Sequence, residues 1–286
     1  MSKTGRIIKG IGGFYYVKAG NDIIECRARG KFRKDMLMPY VGDFVEIDDG
    51  YVMKILPRKN KFIRPPITNI DKLIIVSAAD NPKPDFLFID KMIVTALYCG
   101  VDIALCFNKS DLNEDVHEYA DIYSKSGFNV FVTSTKENSG IEELRDFMRG
   151  SVSVLCGFSG VGKSSLINLL IDNYRFEVGE VSLKLNRGKH TTRHVELVEY
   201  ELDSFFADTP GFSMLTLPES IEASKLIECF PDLKKYSYDC RFSDCNHTSG
   251  KFCSVHDALS DGKIVRSRYE NYVTLYNTLK DNKEWK

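Results

Sequence analysis

A phosphate-binding pattern lies near the middle of the chain. Residues 157–164 read G-F-S-G-V-G-K-S, between an apolar run at 151–156 and helically spaced apolar residues at 165–170. In a G-x-x-x-x-G-K-S loop the glycines let backbone N–H groups turn toward phosphate oxygens, the lysine reaches the outer phosphates, and the serine binds Mg²⁺ where a helix begins. We therefore expect Lys163 to stabilise phosphate charge and Ser164 to bind magnesium. The predicted phosphate-loop contacts are Gly157, Phe158, Ser159, Gly160, Val161, Gly162, Lys163, Ser164 and Ser165.

A second pattern selects the base of a nucleotide. Residues 108–111 read N-K-S-D directly after the apolar run 101–107. The Asp111 carboxylate can accept hydrogen bonds from the ring N–H and the exocyclic amine of guanine, whereas adenine would leave that carboxylate unpaired. Asn108 can serve the carbonyl side of the base, and the stem of Lys109 can pack on its face. With a second base-edge loop after the next apolar run, the predicted guanine contacts are Asn108, Lys109, Ser110, Asp111, Ser134, Thr135 and Lys136.

Two further segments have the character of nucleotide-sensing switches. The polar stretch 174–194 ends in R-G-K-H-T-T-R at 187–193, and we favour Thr192 over Thr191 as the threonine that closes on Mg²⁺ and the γ-phosphate. Residues 208–211 read D-T-P-G, in which Asp208 would hold a Mg²⁺-bound water and the Gly211 N–H would contact the γ-phosphate. GTP would order both segments and hydrolysis would release them.

The order of these motifs differs from that of an ordinary GTPase. Both base-reading motifs precede the phosphate loop and the two switches, whereas they usually come last. This order indicates a circular permutation, which a domain tolerates because its natural termini lie close together. The chain would leave the nucleotide domain directly after Gly211, so the second switch is tied covalently to the segment that follows.

Three of the eight cysteines and one histidine form a compact cluster in that last segment. Cys240, Cys245, His247 and Cys253 follow a C-x4-C-x-H-x5-C pattern. Three thiolates and one imidazole complete a closed tetrahedral site, which is typical of structural Zn²⁺. His256 is an alternative to His247, although the tighter spacing favours His247. The other five cysteines are scattered singly, mostly in apolar elements, and are interpreted as reduced core residues: Cys26, Cys99, Cys106, Cys156 and Cys229.

The elements that position these motifs divide into three parts. Residues 1–65 have short alternating bursts separated by glycine turns, which predicts a five-stranded OB-type β-barrel. Residues 66–213 alternate strands and helices, which predicts a doubly wound parallel sheet with ligands at the carboxyl ends of its strands. Residues 214–286 form the predicted zinc-binding module with a C-terminal helix over 266–279. Within the sheet we expect strands at 73–78, 101–107, 128–133, 151–156, 194–202 and 204–207, and helices at 85–98 and 141–148.

Composition and charge restrict the function classes. The 286 residues are 43% hydrophobic and 28% charged, as in ordinary globular proteins, and no apolar run approaches the length of a membrane helix or a secretion signal. We expect a monomeric cytoplasmic protein that does not bind membranes. The net charge of −1 conceals an asymmetry, because residues 1–65 contain 14 Lys and Arg against 7 Asp and Glu.

Two basic regions are candidates for RNA contact. The segment 27–34 reads R-A-R-G-K-F-R-K. Its basic residues suit contact with a phosphate backbone, and Phe32 suits stacking on a base. The alternative is that the segment is simply a solvated run of charged residues. The basic residues of the helix 266–279 are a second RNA-facing surface or a solvated one. The same two alternatives hold for Lys234, Lys235, Arg241 and Lys251.

The combined motifs resemble those of a known family. N-K-S-D at 108–111, G-F-S-G-V-G-K-S-S at 157–165, G-K-H-T-T-R at 188–193, D-T-P-G-F at 208–212 and the Cys/His cluster are similar to the ribosome-small-subunit-dependent GTPase A (RsgA-type) proteins. These are bacterial circularly permuted GTPases with an N-terminal OB fold and a C-terminal zinc module, and the resemblance covers essentially the whole chain. It implies a late-assembly or checkpoint role on the small ribosomal subunit and its rRNA, with low intrinsic GTP hydrolysis that the subunit stimulates.

This chain lacks the water-positioning glutamine that many GTPases have after the D-x-x-G motif. Such switches place a glutamine directly after the D-x-x-G glycine, whereas Phe212 stands there in this chain. His190, two residues before Thr192, can approach the γ-phosphate when the switch closes, and the resemblance implies the same histidine. The alternative is that His190 contacts RNA or packs within its loop. For the whole chain, the alternatives to a ribosome-linked GTPase are a nucleotide-gated RNA-binding module with incidental hydrolysis, and a zinc-containing ATPase acting on other RNA.

Overall fold

The computed structural model describes residues 2–30, 32, 37–63, 65–171, 195–208, 217–218 and 220–284. The strands are β1 Lys3–Ile11, β2 Phe14–Ala19, β3 Asp22–Ala28, β4 Phe44–Asp48, β5 Tyr51–Ile55, β6 Lys61–Phe62, β7 Ile67–Thr68, β8 Lys72–Ala78, β9 Asp102–Asn108, β10 Asn129–Val132, β11 Val152–Cys156, β12 Glu196–Glu201 and β13 Ser204–Asp208. The α-helices are α1 Phe86–Tyr98, α2 Val116–Lys125, α3 Ile141–Met148, α4 Lys163–Leu170, α5 Pro231–Ser237, α6 Ser254–Ser260 and α7 Arg266–Glu284.

The first five strands close into a barrel. They are ordered β1-β2-β3-β5-β4, and β4 pairs back onto β1. Alternating residues such as Ile7, Val17, Val45 and Val52 are fully buried inside it, as a strand period of two requires. The predicted OB-type barrel is confirmed.

The basic segment 27–34 differs from its prediction at the aromatic residue. Its described part comprises 27–30 and Phe32, and Phe32 is only 3% exposed because it packs in the apolar core shared by the barrel and the sheet. Phe32 therefore cannot stack on a base in this conformation, and that part of the prediction is wrong. Lys31, Arg33 and Lys34 lie outside the described residues.

The nucleotide domain has the predicted doubly wound sheet. Its strands are ordered β10-β9-β8-β11-β13-β12, and all are parallel except β12, which pairs antiparallel to β13. Apolar side chains line both faces: Ile75 and Leu105 belong to the core with α1 and α2, whereas Ile74 and Cys106 belong to the core with α3 and α4. Burial on both faces explains the nearly continuous apolar runs in these strands.

The predicted helices are close to the observed ones. Helix α3 spans 141–148 as expected, and the helix expected from residue 85 begins at Phe86 because Asp85 is its N-cap, accepting a hydrogen bond from the Phe88 N–H at 2.9 Å. Helix α2 had no sequence prediction. The parallel strands all end at one edge, so the motifs at their carboxyl ends meet there.

Strand pairing joins the barrel to the nucleotide domain. β1 pairs antiparallel with β12 at Lys9 and Glu196, whose side chains form an ion pair at 2.8 Å. Lys18 forms a second ion pair with Glu199. β12 follows the predicted first switch in sequence, so the barrel is attached to the strand that leads out of that switch.

The C-terminal module has its own apolar core. Short helices and the 3-10 helix Ala223–Cys229 surround Phe230, Leu233 and Tyr272, and Val94 of α1 is buried in the same cluster. The module is therefore packed directly on the nucleotide domain.

None of the helices in the described part of the chain has the length and apolar character of a membrane-spanning segment.

A buried ionic network reinforces this junction. Arg268 of α7 is fully buried and donates two hydrogen bonds to Asp232 at 2.9 and 3.1 Å and one to Asp90 of α1. Asn271 also donates to Asp90, at 2.7 Å, and Ser126 to Asp232, at 2.9 Å. Burial alone would lower the pKa of Arg268, but the two carboxylates raise it above its ordinary value. For Arg268 both sequence interpretations, RNA-facing and solvated, are wrong.

Candidate nucleotide site and metal centre

The phosphate loop lies between β11 and α4 as predicted. Gly157 has φ +146°, and a Cβ built there would lie 2.1 Å from the carbonyl oxygen of Val76 in β8. A side chain at this position is excluded because the loop passes too close to the neighbouring strand. The glycine thus fixes where the loop leaves the sheet.

The lysine of the loop points into its centre. Lys163 Nζ donates to the carbonyl oxygens of Gly157 and Phe158, at 2.9 and 2.6 Å. Burial lowers the pKa of Lys163. Ser164 and Ser165 occupy the first turn of α4 and are partly exposed. Phosphate oxygens entering the loop would meet an ammonium group already placed there, with serine hydroxyls at the helix start.

Asn108 connects the phosphate loop to the base-reading loops. Its side chain is fully buried, its amide donates to the carbonyl oxygen of Val161 at 2.9 Å, and its own oxygen accepts from the Thr133 hydroxyl at 3.2 Å. The side chain therefore holds three segments of the site together. This structural role was not part of the sequence interpretation, which assigned Asn108 only to the base.

Asp111 and the loop after β10, which are predicted to read the base, lie in direct contact. The Ser134 hydroxyl donates to the Asp111 carboxylate at 2.7 Å, and Lys136 Nζ lies 3.5 Å from its other oxygen. The hydrogen bond from Ser134 is the main reason that the pKa of Asp111 is lowered. The carboxylate therefore stays ionised and acceptor-only, as guanine recognition requires.

Backbone contacts fix the two base-reading loops to each other. Ser110 begins a 3-10 helix and its N–H donates to the carbonyl oxygen of Thr133 at 3.1 Å. Ser134 and Ser139 exchange two backbone hydrogen bonds of 3.1 Å, which close the loop that carries Thr135 and Lys136. The structure thus brings every predicted base-contacting residue to the edge where the phosphate loop lies.

The predicted switch residues are less completely described. Asp208 ends β13 at the same edge of the sheet, but its side chain lies outside the described residues. His190, Thr192 and Gly211 also lie outside them.

The predicted metal ligands meet in the C-terminal module. The ligand atoms of Cys240, Cys245, His247 and Cys253 all lie within 4.8 Å of one another. His247 Nδ1 is 3.4 Å from Cys240 Sγ and 3.6 Å from Cys253 Sγ, and these two sulfurs are 4.0 Å apart. A tetrahedral Zn²⁺ with ordinary bond lengths would place sulfur and nitrogen about 3.6 Å apart and two sulfurs about 3.8 Å apart.

The chemistry of these donors also fits a metal ion. Burial lowers the pKa of His247, which favours the neutral imidazole that binds metals. Burial, together with Cys240 and Cys245, raises the pKa of Cys253, so three adjacent thiolates need a cation to compensate their charge. The four residues can therefore hold a metal ion and are compatible with zinc.

Two tyrosines of α7 fix the loop that carries the histidine. Tyr269 Oη donates to the carbonyl oxygen of His247 at 3.0 Å, and Tyr272 Oη to that of Asn246 at 2.8 Å. His256, the alternative ligand, is not in the four-residue group; its ring faces Tyr269 edge-on and lies next to Gly250. Neither tyrosine was expected from the sequence, although the aromatic residues of the predicted helix were a signal that it packs on the module.

Comparison with known proteins identifies the family. The RsgA GTPase family model matches residues 55–218, and the RsgA N-terminal domain model matches residues 4–51. The chain belongs to the RsgA GTPase family. The match extends over more than half of the chain and includes the base motif, the phosphate loop and both predicted switches.

Relatives within the RsgA family match along the full length. A protein of Caldanaerobacter subterraneus subsp. tengcongensis is 42% identical over 287 residues, covering 98% of this chain and 97% of the relative. A protein of Alkaliphilus metalliredigens is 40% identical over 294 residues, and the match covers 100% of this chain and 100% of the relative. Both are named small ribosomal subunit biogenesis GTPase RsgA.

Solved structures agree with this assignment. The crystal structure of YjeQ from Thermotoga maritima matches with a TM-score of 0.86 and 33% identity, covering 98% of this chain and 99% of that one. The structure of YloQ, described as a circularly permuted GTPase, matches with a TM-score of 0.82 and 33% identity, covering 99% and 96%. The predicted circular permutation and GTPase activity are confirmed, and membership of the RsgA family implies the use of GTP and Mg²⁺.

Proposed function

We propose that this protein hydrolyses GTP to GDP and phosphate on the small ribosomal subunit, during late assembly or a maturation checkpoint. The observation that carries the proposal is the single site in which Asn108 joins the guanine-reading loops to the phosphate loop. The names of its full-length relatives support the ribosomal role. The protein acts in the cytoplasm as a monomer. Residues 1–65 bind RNA, residues 66–213 bind GTP, and residues 214–286 bind zinc.

The residues of the site have distinct proposed roles. Asp111 and the 134–136 loop read guanine, the 157–165 loop binds the phosphates, and Lys163 offsets charge that develops on them. Ser164, Thr192 and Asp208 would hold Mg²⁺, and the ion would supply charge neutralisation at the phosphates. His190 orients the attacking water, because Phe212 has no polar group with which to do so.

The described surface supports RNA contact by the C-terminal module. Phe242 and Phe252 are more than half exposed, and the Arg241 guanidinium lies 4.7 Å from the ring centre of Phe252 and 5.9 Å from that of Phe242. Exposed aromatic rings beside a cation suit stacking on unpaired bases. Phe252 has φ +58°, a conformation that a bulky residue rarely adopts without a functional or structural reason.

The four-residue cluster is proposed to bind one structural Zn²⁺. Purified protein should contain about one zinc per chain by elemental analysis. Cys253→Ser should abolish retention of zinc and unfold the C-terminal module, because metal binding and folding of such a small module are coupled. Hydrogen exchange should then show protection lost in 231–279 but kept in the barrel. Cys99→Ser, outside the cluster, should keep its zinc; retention of a full equivalent by the Cys253 variant would contradict the assignment.

Asp111→Asn should change the base preference. An asparagine amide can donate to the second carbonyl of xanthine, where guanine has an amine, and its oxygen can still accept from the ring N–H. We expect affinity for GDP to fall about 100-fold and affinity for xanthosine diphosphate to rise, as measured by competition against a fluorescent nucleotide. Asp115→Asn on the neighbouring helix start is the control. An unchanged preference for GDP would favour another base-reading group and reopen the ATPase alternative.

GTP hydrolysis in the presence of ribosomal subunits tests the function. Turnover should rise at least about tenfold with small subunits and stay at its basal rate with large subunits or with none. His190→Ala should bind GTP normally but lose about 100-fold of the stimulated rate. A non-hydrolysable GTP analogue should retain the protein on the small subunit. Equal rates in all three conditions, with nucleotide-dependent binding to other RNA, would favour the nucleotide-gated RNA-binding module instead.

A further inference from the structure

The loop after β8 lies at the centre of the nucleotide site. β8 pairs with β9 on one side, where Ala78 faces Asn108, and with β11 on the other, where Ile75 faces Cys156. The base motif follows β9 and the phosphate loop follows β11. Residues 79–85, which follow β8, therefore lie between the two nucleotide-contacting segments.

This loop contacts the base motif through its backbone. Lys109 Nζ donates to the carbonyl oxygen of Asn81 at 2.5 Å, and the Ala79 N–H donates to the carbonyl oxygen of Asn108 at 2.8 Å. The Lys109 side chain consequently extends from the base motif to the 79–85 loop. A hydrogen bond to an ammonium group is stronger than a neutral one, so this contact restricts the direction of the whole lysine stem.

The same loop lies beside the phosphate loop, and the helix after it contacts the phosphate loop directly. Pro82 Cδ lies 3.8 Å from the position that a Cβ on Gly160 would occupy. The Phe88 ring of α1 lies against Phe158 of the phosphate loop, with ring centres 4.1 Å apart. The 79–85 loop thus lies between the base motif, to which it is hydrogen-bonded, and the phosphate loop, on which the following helix α1 packs.

The backbone conformation of Asn81 directs its carbonyl oxygen toward Lys109. Asn81 has φ +50°, which asparagine and glycine tolerate but β-branched residues do not, and its N–H donates to Asp80 Oδ1 at 2.8 Å. Its side chain is exposed. Asparagine is therefore suited to this position by its backbone preference, and the group that contacts Lys109 is the main-chain oxygen.

We propose that Asn81 is a positioning residue for guanine nucleotides, whose main-chain carbonyl holds the Lys109 ammonium and so sets the lysine stem against the face of the base. The inference rests on the proposed nucleotide site. Because the base is the same in GDP and GTP, the contact contributes equally to the binding of both and does not act on the γ-phosphate. Its loss should raise KM and leave kcat unchanged.

Variants that differ in backbone tolerance test this role. Asn81→Val should weaken binding of GDP and GTP by the same factor of about tenfold, because valine disfavours positive φ and displaces the carbonyl. Asn81→Gly keeps the backbone conformation and should bind both within about twofold of the native affinity. Asp49→Val is the matched control, since Asp49 has φ +47° in the barrel turn between β4 and β5, far from the site in sequence and sheet order. It should leave GDP affinity unchanged.

A double-mutant cycle identifies Lys109 as the partner. Lys109→Met keeps most of the stem but removes the ammonium, and should weaken GDP binding about tenfold in the native background and less than about twofold in Asn81→Val. Equal effects in both backgrounds, native affinity in Asn81→Val, or an Asn81→Gly defect as large as that of valine would each overturn the inference. Asn81→Ala replaces the valine variant if circular dichroism shows that valine prevents folding. Failure of the native protein to bind GDP would instead contradict the proposed function.

Discussion

Replacing Arg268 with alanine should lower the free energy of unfolding by about 3–5 kcal/mol. The guanidinium is fully buried between Asp90 of the nucleotide domain and Asp232 of the C-terminal module, and it lies 4.6 Å from the ring centre of Phe230. Without the guanidinium, two buried carboxylates lose the positive charge that they share. Leaving buried carboxylates uncompensated costs much more free energy than the loss of an exposed ion pair.

Urea denaturation followed by circular dichroism measures this loss, with hydrogen exchange locating it. Exchange should accelerate first in α7 and at the junction with α1, since both elements contribute to the network. Lys280→Ala is the control because Lys280 lies on the same helix but is exposed, and it should change stability by less than about 0.5 kcal/mol. A loss below about 1 kcal/mol for Arg268→Ala would show that water or movement of α7 compensates the carboxylates.

The importance of Arg268 could not be predicted from its sequence context. It is surrounded by serine, tyrosine, glutamate and asparagine, which is the composition of a solvated helix face, and its partner Asp90 is 178 positions away. Only the packing of α7 against α1 brings the two together. Phe32 shows the opposite case: its basic neighbours suggested an exposed ring, but the ring fills part of the apolar core.

The parts of the fold that were predicted depend on local patterns. The apolar runs and the residues that follow them placed the base motif at the end of β9 and the phosphate loop at the end of β11, because a parallel sheet brings these ends to one edge. The Cys/His spacing similarly located the metal cluster. The pairing of β1 with β12 was not predictable, since it joins strands distant in sequence through the alignment of two sheet edges.

Asn108 combines a role that the sequence predicted with one that depends on long-range packing. Its position in N-K-S-D indicated nucleotide binding, but its bond to Val161, 53 residues away, depends on how β9 and β11 are arranged around β8. The motif therefore marks a residue that also organises the site. The phosphate-loop glycine beside it gives a direct test of that organising role.

Gly162→Ala should weaken GDP and GTP binding about 100-fold. Gly162 has φ +94°, and a Cβ there would lie 2.2 Å from Asn108 Nδ2, so the methyl group must displace the buried amide that holds Val161 and Thr133. Left-handed strain costs about 1–2 kcal/mol, and loss of a buried hydrogen bond about 1–3 kcal/mol. The unbound loop can relax to relieve both costs, and nucleotide binding must then restore the native geometry. A sum of about 3 kcal/mol would therefore correspond to a factor of about 100 in affinity. Titration of a fluorescent guanine nucleotide measures it.

Gly127→Ala separates the effect of the clash from that of backbone strain. Gly127 follows α2 with φ +89°, and a Cβ there meets nothing within 4 Å, so alanine should lower stability by about 1 kcal/mol and leave GDP affinity within about twofold. In an Asn108→Ala background the clash has no partner, and Gly162→Ala should then cost about tenfold in affinity instead of about 100-fold. A full 100-fold loss in that background would mean that the glycine acts on the phosphate loop alone. The smaller loss would show that Gly162 leaves space for the amide that connects phosphate binding to base recognition.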